Sequence, residues 1–250
     1  MKVLPFELGE CISNNQNCSI ITSIDKKYAC KFSTEDLSNE FALMFHSSSD
    51  YTVKPIKYIK TNDWNCIIMP SYLDGDAFSL IENNQVTEQN IKEIIHDVLK
   101  GLVHLKAHYI CHHDIKPENF FLKKQKNNKI KAFIGDFGCA ELLESGIGFD
   151  IFDGSIQYQA PEILNKSTYD FQSDMWSLGI SMAVLLCQKY PYDGECEEDL
   201  LNQIYDPSRR VVLPEGISPC AQDFLDKLLC IDPNQRLTAE EALHHSWFEQ

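Results

Sequence analysis

The pattern of apolar and polar positions changes near residue 70 of this chain. Before that point, short runs rich in β-branched and aromatic residues predict strands at residues 19–24, 27–32 and 66–69. One helical pattern lies among them, at residues 34–46, with Thr34 as its N-cap. The first part of the chain therefore predicts a small lobe of strands with one helix.

Beyond residue 76 the pattern is mostly helical. Thr87 is predicted to cap a long helix, because isoleucine, valine and leucine then recur at helical spacing up to Leu105. A lysine-rich turn separates two runs that predict a β-hairpin at residues 120–134, and residues 135–159 show no period, as is typical of an active-site loop. Further helices are predicted at residues 170–189, 197–205, 219–230 and 238–248. We expect an α+β chain of two lobes, residues 1–69 and 77–250, joined by a turn-rich hinge at 70–76.

Composition describes an ordinary globular protein, with 44% hydrophobic and 24% charged residues. No apolar run approaches the roughly 18–20 residues of a membrane span, and the N-terminus lacks a signal-peptide apolar core. We expect a protein of the cytoplasm or nucleus with no membrane partner. The ten cysteines include no CxxC pair, and free thiols fit such a compartment better than disulfides.

The net charge of −15 argues against nucleic-acid binding, which needs a basic surface. It weakly favours basic partners or substrates. Glu118, Asp76 and the acidic residues at 195–199 offer carboxylates to such a substrate, although acids at the start of a helix are favourable in any case.

The most informative stretch is His-His-Asp-Ile-Lys-Pro-Glu-Asn at residues 112–119, followed by Asp-Phe-Gly at 136–138. Phosphoryl transfer needs a carboxylate beside the accepting hydroxyl and oxygen ligands for Mg²⁺. Asp114, Asn119 and Asp136 are residues of those types, in that order. The stretch resembles the catalytic loop and metal-binding triplet of the eukaryotic Ser/Thr protein kinases.

Other segments resemble that family in the family's order. They are Tyr-Ala-Cys-Lys at 28–31, Ile-Ile-Met-Pro-Ser-Tyr at 67–72, Gly-Ser at 154–155 with Ala-Pro-Glu at 160–162, Asp174 before Met-Trp-Ser, and Arg236. Each match alone is weak, but together and in order they are strong. The resemblance implies the bilobal kinase fold and transfer of the γ-phosphoryl group of ATP, with Mg²⁺, to Ser or Thr hydroxyls of a protein substrate.

The resemblance also implies roles in the chemistry. Asp114 would accept or orient the hydroxyl proton, and Lys116 would stabilise charge on the transferring group. Asn119 and Asp136 would hold Mg²⁺. Lys31 would grip the ATP phosphates with Glu40 as its ion-pair partner; because the interval between them is short for the family, Glu35 is the fallback.

The resemblance also implies roles in binding ATP and in holding the catalytic loop and the activation segment in place. Met69 would be the gatekeeper, Pro70 and Tyr72 would offer backbone groups to adenine, Asp76 would meet the ribose, and Gly9 would belong to the phosphate-covering loop. Phe137 and Gly138 would begin the activation segment, and Ser155 would bond Asp114 and Lys116. Glu162 would pair with Arg236, Asp174 would brace the catalytic loop, and His112 would stack with Phe137 and Met44.

The phosphate-covering loop departs from the family, because residues 8–14 keep only one glycine. Backbone amides approach phosphates most closely where no side chain intervenes, so Cys11 predicts weaker nucleotide binding. Cys18 and Ile20 compete as the residue that covers adenine.

His113 is the second departure, since it stands where the family usually has an Arg that pairs with an activation-loop phosphate. Histidine lacks the bidentate guanidinium. One interpretation is a loop ordered without phosphate, with Glu144, Asp150 or Asp153 pairing a protonated His113. The other is drift in a kinase controlled by its expression or by a regulatory protein partner.

Three alternatives remain beside an active kinase. His104, His108 and His112 fall at helical spacing beside Cys111 and superficially suggest zinc, but the His-Glu-x-x-His pattern is absent. A pseudokinase scaffold fits the poor glycine loop but not the presence of every catalytic residue type. A small-molecule kinase would not be expected to carry the segment at 154–162, and we rank it last.

Overall fold

Five antiparallel strands form the sheet of the smaller lobe. The structure is a computed structural model that describes residues 4–14, 18–126, 129–148 and 154–249. The strands, in sheet order β1-β2-β3-β5-β4, are β1 (Leu8–Asn14), β2 (Cys18–Ser23), β3 (Tyr28–Ser33), β4 (Lys57–Lys60) and β5 (Asn65–Pro70). The predicted strands agree with β2, β3 and β5 to within one residue at each end.

Helix α1 (Ser38–His46) follows β3 and packs its buried residues Glu40, Leu43 and Met44 towards the core. The predicted start at Thr34 is wrong by four residues. Ser33 Oγ accepts a hydrogen bond from the Glu35 amide, and Asp36 accepts one from the Ser38 amide. These short-range side-chain bonds favour turns over helix, so the helix begins only after Leu37.

The larger lobe is built around two helices. The two long helices are α3 (Glu88–Ala107) and α5 (Gln172–Cys187). The shorter α-helices after β5 are α2 (Ser79–Glu82), α4 (Pro161–Leu164), α6 (Glu197–Ile204), α7 (Pro219–Leu228) and α8 (Ala239–Ala242). Thr87 accepts a hydrogen bond from the Asn90 amide, so it caps α3 as predicted. Nearly every residue of α5 is buried, which places this helix at the centre of the lobe.

The helix predicted at 238–248 is two elements instead of one. A capping box between Thr238 and Glu241 starts α8, which ends at Ala242, and a 3₁₀ turn then covers Ser246–Glu249. The break allows the fully buried Trp247 to donate its indole N–H to Glu88 Oε1 at 2.8 Å. Burial of this ring and its polar atom overrides the helical pattern of the sequence.

Two short pairs of β-strands in the larger lobe flank the two motifs that form the site. β6 (Ile110–Cys111) pairs antiparallel with β9 (Glu141–Leu142), and β7 (Phe120–Lys124) forms a hairpin with β8 (Ile130–Ile134). The catalytic-loop motif lies between β6 and β7, and the Asp-Phe-Gly triplet lies between β8 and β9. The α+β fold of a small β-rich lobe and a larger helical lobe is confirmed.

Over the described ranges, no helix has the length and apolar character needed to cross a membrane.

Candidate active site

Lys31 of β3 lies between two carboxylates on opposite sides of the cleft. Its Nζ is 2.8 Å from Glu40 Oε1 and 2.7 Å from Asp136 Oδ1. Burial opposes the charged form, but the carboxylates of Asp136 and Glu40 outweigh it and raise the pKa of Lys31. The structure thus places Glu40, rather than the fallback Glu35, beside the ammonium and links the small lobe to the Asp-Phe-Gly triplet.

Asp114 is held from several sides in the catalytic loop. Its Oδ2 accepts from the Asn119 amide at 2.9 Å and lies 2.7 Å from Lys116 Nζ. Its Oδ1 lies 3.3 Å from the Ser155 amide, and Lys116 also donates to Ser155 Oγ at 2.9 Å. The carboxylate is therefore fixed in orientation, and its side chain is only 9% exposed.

Asn119 and Asp136 have the donor chemistry of a Mg²⁺ site. The amide nitrogen of Asn119 is committed to Asp114, which leaves its Oδ1 as the atom to offer a cation. The Asp136 side chain is 45% exposed. Burial acts to raise the pKa of Asp136, but the Lys31 ammonium outweighs it and lowers that pKa, so the carboxylate is in its ligating form. Carboxylate and amide oxygens are ligands that Mg²⁺ accepts, so these residues fit the ion.

The backbone of the catalytic loop is braced by Asp174 at the start of α5. The Asp174 carboxylate accepts from the amides of His112 at 2.8 Å and His113 at 2.9 Å. The brace matters because His113 has a φ of 63°, in the left-handed region where non-glycine residues are strained. His112 packs edge-on against Phe137 with ring centroids 5.0 Å apart, and Met44 is buried in the same cluster as Phe137.

The end of the activation segment is tied into the larger lobe by a buried ion pair. Arg236 donates to both carboxylate oxygens of Glu162, at 2.7 and 3.0 Å, and its side chain is fully buried. The guanidinium also lies 5.2 Å from the centre of the Trp176 ring. A buried arginine that is paired and stacked in this way fixes the position of the loop.

The surroundings of His113 differ from those expected from the sequence. Its imidazole is fully buried and lies 3.7 Å from Glu141 Oε2, not beside Glu144; Asp150 and Asp153 lie outside the described residues. Burial lowers the pKa of His113 to about 4. The hypothesis of a protonated His113 paired with Glu144 is therefore wrong. No sequence motif indicates the Glu141 contact, because only the pairing of β6 with β9 brings the two residues together.

The residues predicted to contact adenine and ribose lie at the end of β5 and in the segment that follows it. Met69 is buried, and the Tyr72 ring stacks on Phe121 and lies tilted against Phe133, so these two rings fix the Tyr72 side chain. Asp76 accepts from the Ser79 amide at 2.8 Å through one of its oxygens. The adenine and ribose contacts of these residues stay predictions.

The strand that carries Gly9 is exposed along its whole length. The pairing of β1 with β2 shifts register on both sides of Cys11, whose thiol faces the carbonyl of Ser13 at 3.3 Å. Cys18 is half-buried, and burial raises the pKa of its thiol even though the nearby Lys31 ammonium acts to lower it. The choice between Cys18 and Ile20 as the residue over adenine remains open.

A two-lobed fold with Lys31, Asp114, Asn119 and Asp136 around one cleft defines a phosphotransferase of the protein-kinase type. The model of the protein kinase domain family matches residues 9–248, and the chain belongs to this family.

Curated relatives agree with this assignment. The chain is 32% identical over 188 residues to myosin light chain kinase A of Dictyostelium discoideum, an alignment covering 73% of this chain and 63% of that protein. It is 27% identical over 233 residues to a probable myosin light chain kinase of the same organism, covering 92% and 59%. It is 30% identical over 243 residues to calcium/calmodulin-dependent protein kinase type 1 of Caenorhabditis elegans, covering 96% and 69%.

The chain thus spans about three fifths of the length of the two Dictyostelium relatives, whose aligned shares are 59% and 63%. The resemblance to Ser/Thr protein kinases, including the calcium/calmodulin-kinase-like group, is confirmed.

Proposed function

We propose that this chain is the catalytic domain of a serine/threonine protein kinase that transfers the γ-phosphoryl group of Mg-ATP to protein hydroxyls. The observation that carries the proposal is the oriented Asp114 carboxylate, bonded to Asn119, Lys116 and Ser155 across the cleft from the Lys31–Glu40 pair. This arrangement suits a reaction in which positioning and charge stabilisation supply most of the catalysis.

Each residue has a task in this reaction. Asp114 orients the attacking hydroxyl and takes up its proton, and Lys116 stabilises negative charge on the transferring group. Lys31 holds the α- and β-phosphates and is itself held by Glu40. Asn119 and Asp136 would hold Mg²⁺, which when bound neutralises charge on the phosphate oxygens.

A basic protein substrate is supported by the charge of the chain and by Glu118. The Oε2 atom of Glu118 is buried and, within the described part of the chain, has no hydrogen-bond partner. Burial raises the pKa of this carboxyl group. Glu118 as a whole is only partly buried, so a substrate guanidinium or ammonium beside its carboxyl group would favour the charged form, and an Arg or Lys near the phosphorylated hydroxyl is favoured.

Control without an activation-loop phosphate is supported by the way the segment is held. Leu143 is buried with Cys111 and Tyr169, and the Gly148 amide donates to the Tyr169 carbonyl at 2.9 Å. The imidazole of His113 is enclosed rather than directed to solvent, where a phosphate would lie. Backbone pairing and apolar packing thus replace the usual Arg–phosphate contact.

A radiolabelled transfer assay on one basic and one acidic test protein tests the activity. Asp114→Asn keeps the side-chain size but removes the base, and we expect a loss of about 10²–10⁴-fold, the usual contribution of a general base. Lys31→Met should also lower transfer. Measurable ATP binding with no Asp114-dependent incorporation would overturn the proposal.

A pseudokinase scaffold is the second candidate, favoured by the exposed β1 strand with its single glycine. Such a scaffold would act by binding a regulatory protein partner. The two functions differ in turnover, since a scaffold binds nucleotide or partner and leaves ATP intact.

A further inference from the structure

Three side chains that the proposed reaction does not use converge behind the catalytic loop. They are Cys111 at the end of β6, His113 two residues later and Asp174 in the first turn of α5, and all three are buried. One ligand atom from each lies within 4.8 Å of the other two. Cys111 Sγ is 3.7 Å from His113 Nδ1 and 3.5 Å from Asp174 Oδ2.

These distances are compatible with a metal ion bound by all three side chains, as well as with weak hydrogen bonds. With a Zn–S bond of about 2.3 Å and a Zn–N bond of about 2.0–2.1 Å at a tetrahedral angle, sulfur and nitrogen lie about 3.6 Å apart. The thiolate, imidazole and carboxylate are also the donor types that Zn²⁺ and Co²⁺ take in proteins. A thiolate and a carboxylate together neutralise a divalent ion, which a buried site requires.

The groups around the cluster could support a metal site. While Nδ1 of His113 faces the cysteine sulfur, Nε2 lies 3.7 Å from the Glu141 carboxylate, beyond hydrogen-bond distance, and a small shift of the ring on metal binding would let Nε2 donate to that carboxylate. The Tyr169 hydroxyl donates to Glu141 Oε2 at 2.9 Å, and the Tyr169 ring packs edge-on against His113. The Asp174 carboxylate accepts hydrogen bonds from two backbone amides, which fix its orientation. Its Oδ2 atom still has a lone pair that could bind a metal ion.

We propose that Cys111, His113 and Asp174 form a binding site for a divalent transition-metal ion of the Zn²⁺ type. On binding, the Cys111 thiol loses its proton to solvent and the sulfur donates an electron pair to the metal, without any change of oxidation state. A water molecule or Ser173, whose Oγ is 3.6 Å from the sulfur, completes the coordination. The ion would join the catalytic loop to α5 at the point where the family usually has an arginine.

A cobalt titration of the purified, metal-free full chain tests the site, because Co²⁺ bound to a thiolate absorbs by charge transfer. We expect one Co²⁺ per chain, the thiolate absorption, and displacement by Zn²⁺ with a higher unfolding midpoint. Cys111→Ser should abolish the absorption, whereas Cys187→Ser, on the same helix as Asp174, should leave it unchanged.

Glu141→Gln is a second variant, chosen because the Glu141 side chain is partly exposed and is not one of the three proposed ligands. Loss of a supporting carboxylate typically lowers metal affinity by about 10–100-fold, and we expect that loss here. No uptake by the wild-type chain, or equal absorption in Cys111→Ser, would overturn the proposal and leave the cluster as a hydrogen-bonded network only.

Discussion

Asp114 and His113 are adjacent, buried residues of the catalytic loop with different partners. Ser155, Asn119 and Lys116 hold the carboxylate of Asp114, whereas the His113 imidazole lies beside Cys111. The identity and spacing of the motif residues predicted the first environment. They could not predict the second, because the groups around His113 come from β9 and α5, far along the chain.

At the same scale, Glu40 and Glu35 form a matched pair for testing the Lys31 contact. Glu40→Gln should lower transfer activity by about 10–100-fold, since a hydrogen bond between charged groups contributes about 1.5–3 kcal/mol. Glu35→Gln should change activity by less than about threefold, because Glu35 is exposed and Lys31 bonds Glu40. Steady-state kinetics with ATP as the varied substrate would measure both; equal losses in the two variants would contradict the assignment of Glu40.

At the scale of elements, sequence patterns located the long helices and the hairpins but not their exact ends. The start of α1 depends on the hydrogen bonds of Ser33 and Asp36, and the break after α8 depends on burial of Trp247. Both are decided by side chains that compete with the backbone or seek a tertiary partner. The hydrophobic period of the sequence therefore cannot predict these helix ends by itself.

The anchoring of the activation segment gives a prediction about Gly148. A Cβ at this residue would overlap the ring of Tyr169, so Gly148→Ala should loosen the segment and lower activity by about 10-fold or more. Gly146→Asn is the control, because Gly146 has open space around it and Asn tolerates its φ of +75°. Limited proteolysis and transfer rates should change in the first variant only. An unchanged Gly148→Ala would show that the Tyr169 contact does not order the segment.

At the scale of the whole molecule, the buried Glu162–Arg236 pair joins the end of the activation segment to the C-terminal part of the larger lobe. Arg236 also donates to the carbonyls of Cys230 and Gln172, at 2.9 and 2.6 Å. The pair therefore holds three separate segments with one side chain.

Removing one partner of this pair should be costly. Arg236→Met is expected to lower the free energy of unfolding by about 3–5 kcal/mol, because it leaves the Glu162 carboxylate buried without its counter-charge. Adding Glu162→Leu should recover much of that loss, because it removes the unpaired buried charge, although the carbonyls of Cys230 and Gln172 still lack their donor. Urea unfolding measures both variants, and a double variant less stable than Arg236→Met would contradict this account of the pair.

We propose that the phosphoryl-transfer chemistry of this chain is intact and does not need an activation-loop phosphate. The direct measurement is the turnover of phosphatase-treated chain whose intact mass shows no phosphate, with ATP, Mg²⁺ and a basic test protein. We predict Asp114-dependent transfer from the first turnover, with no lag and no increase in rate after preincubation with ATP. Transfer that appears only after phosphate accumulates on Ser145, and is lost in Ser145→Ala, would contradict the claim.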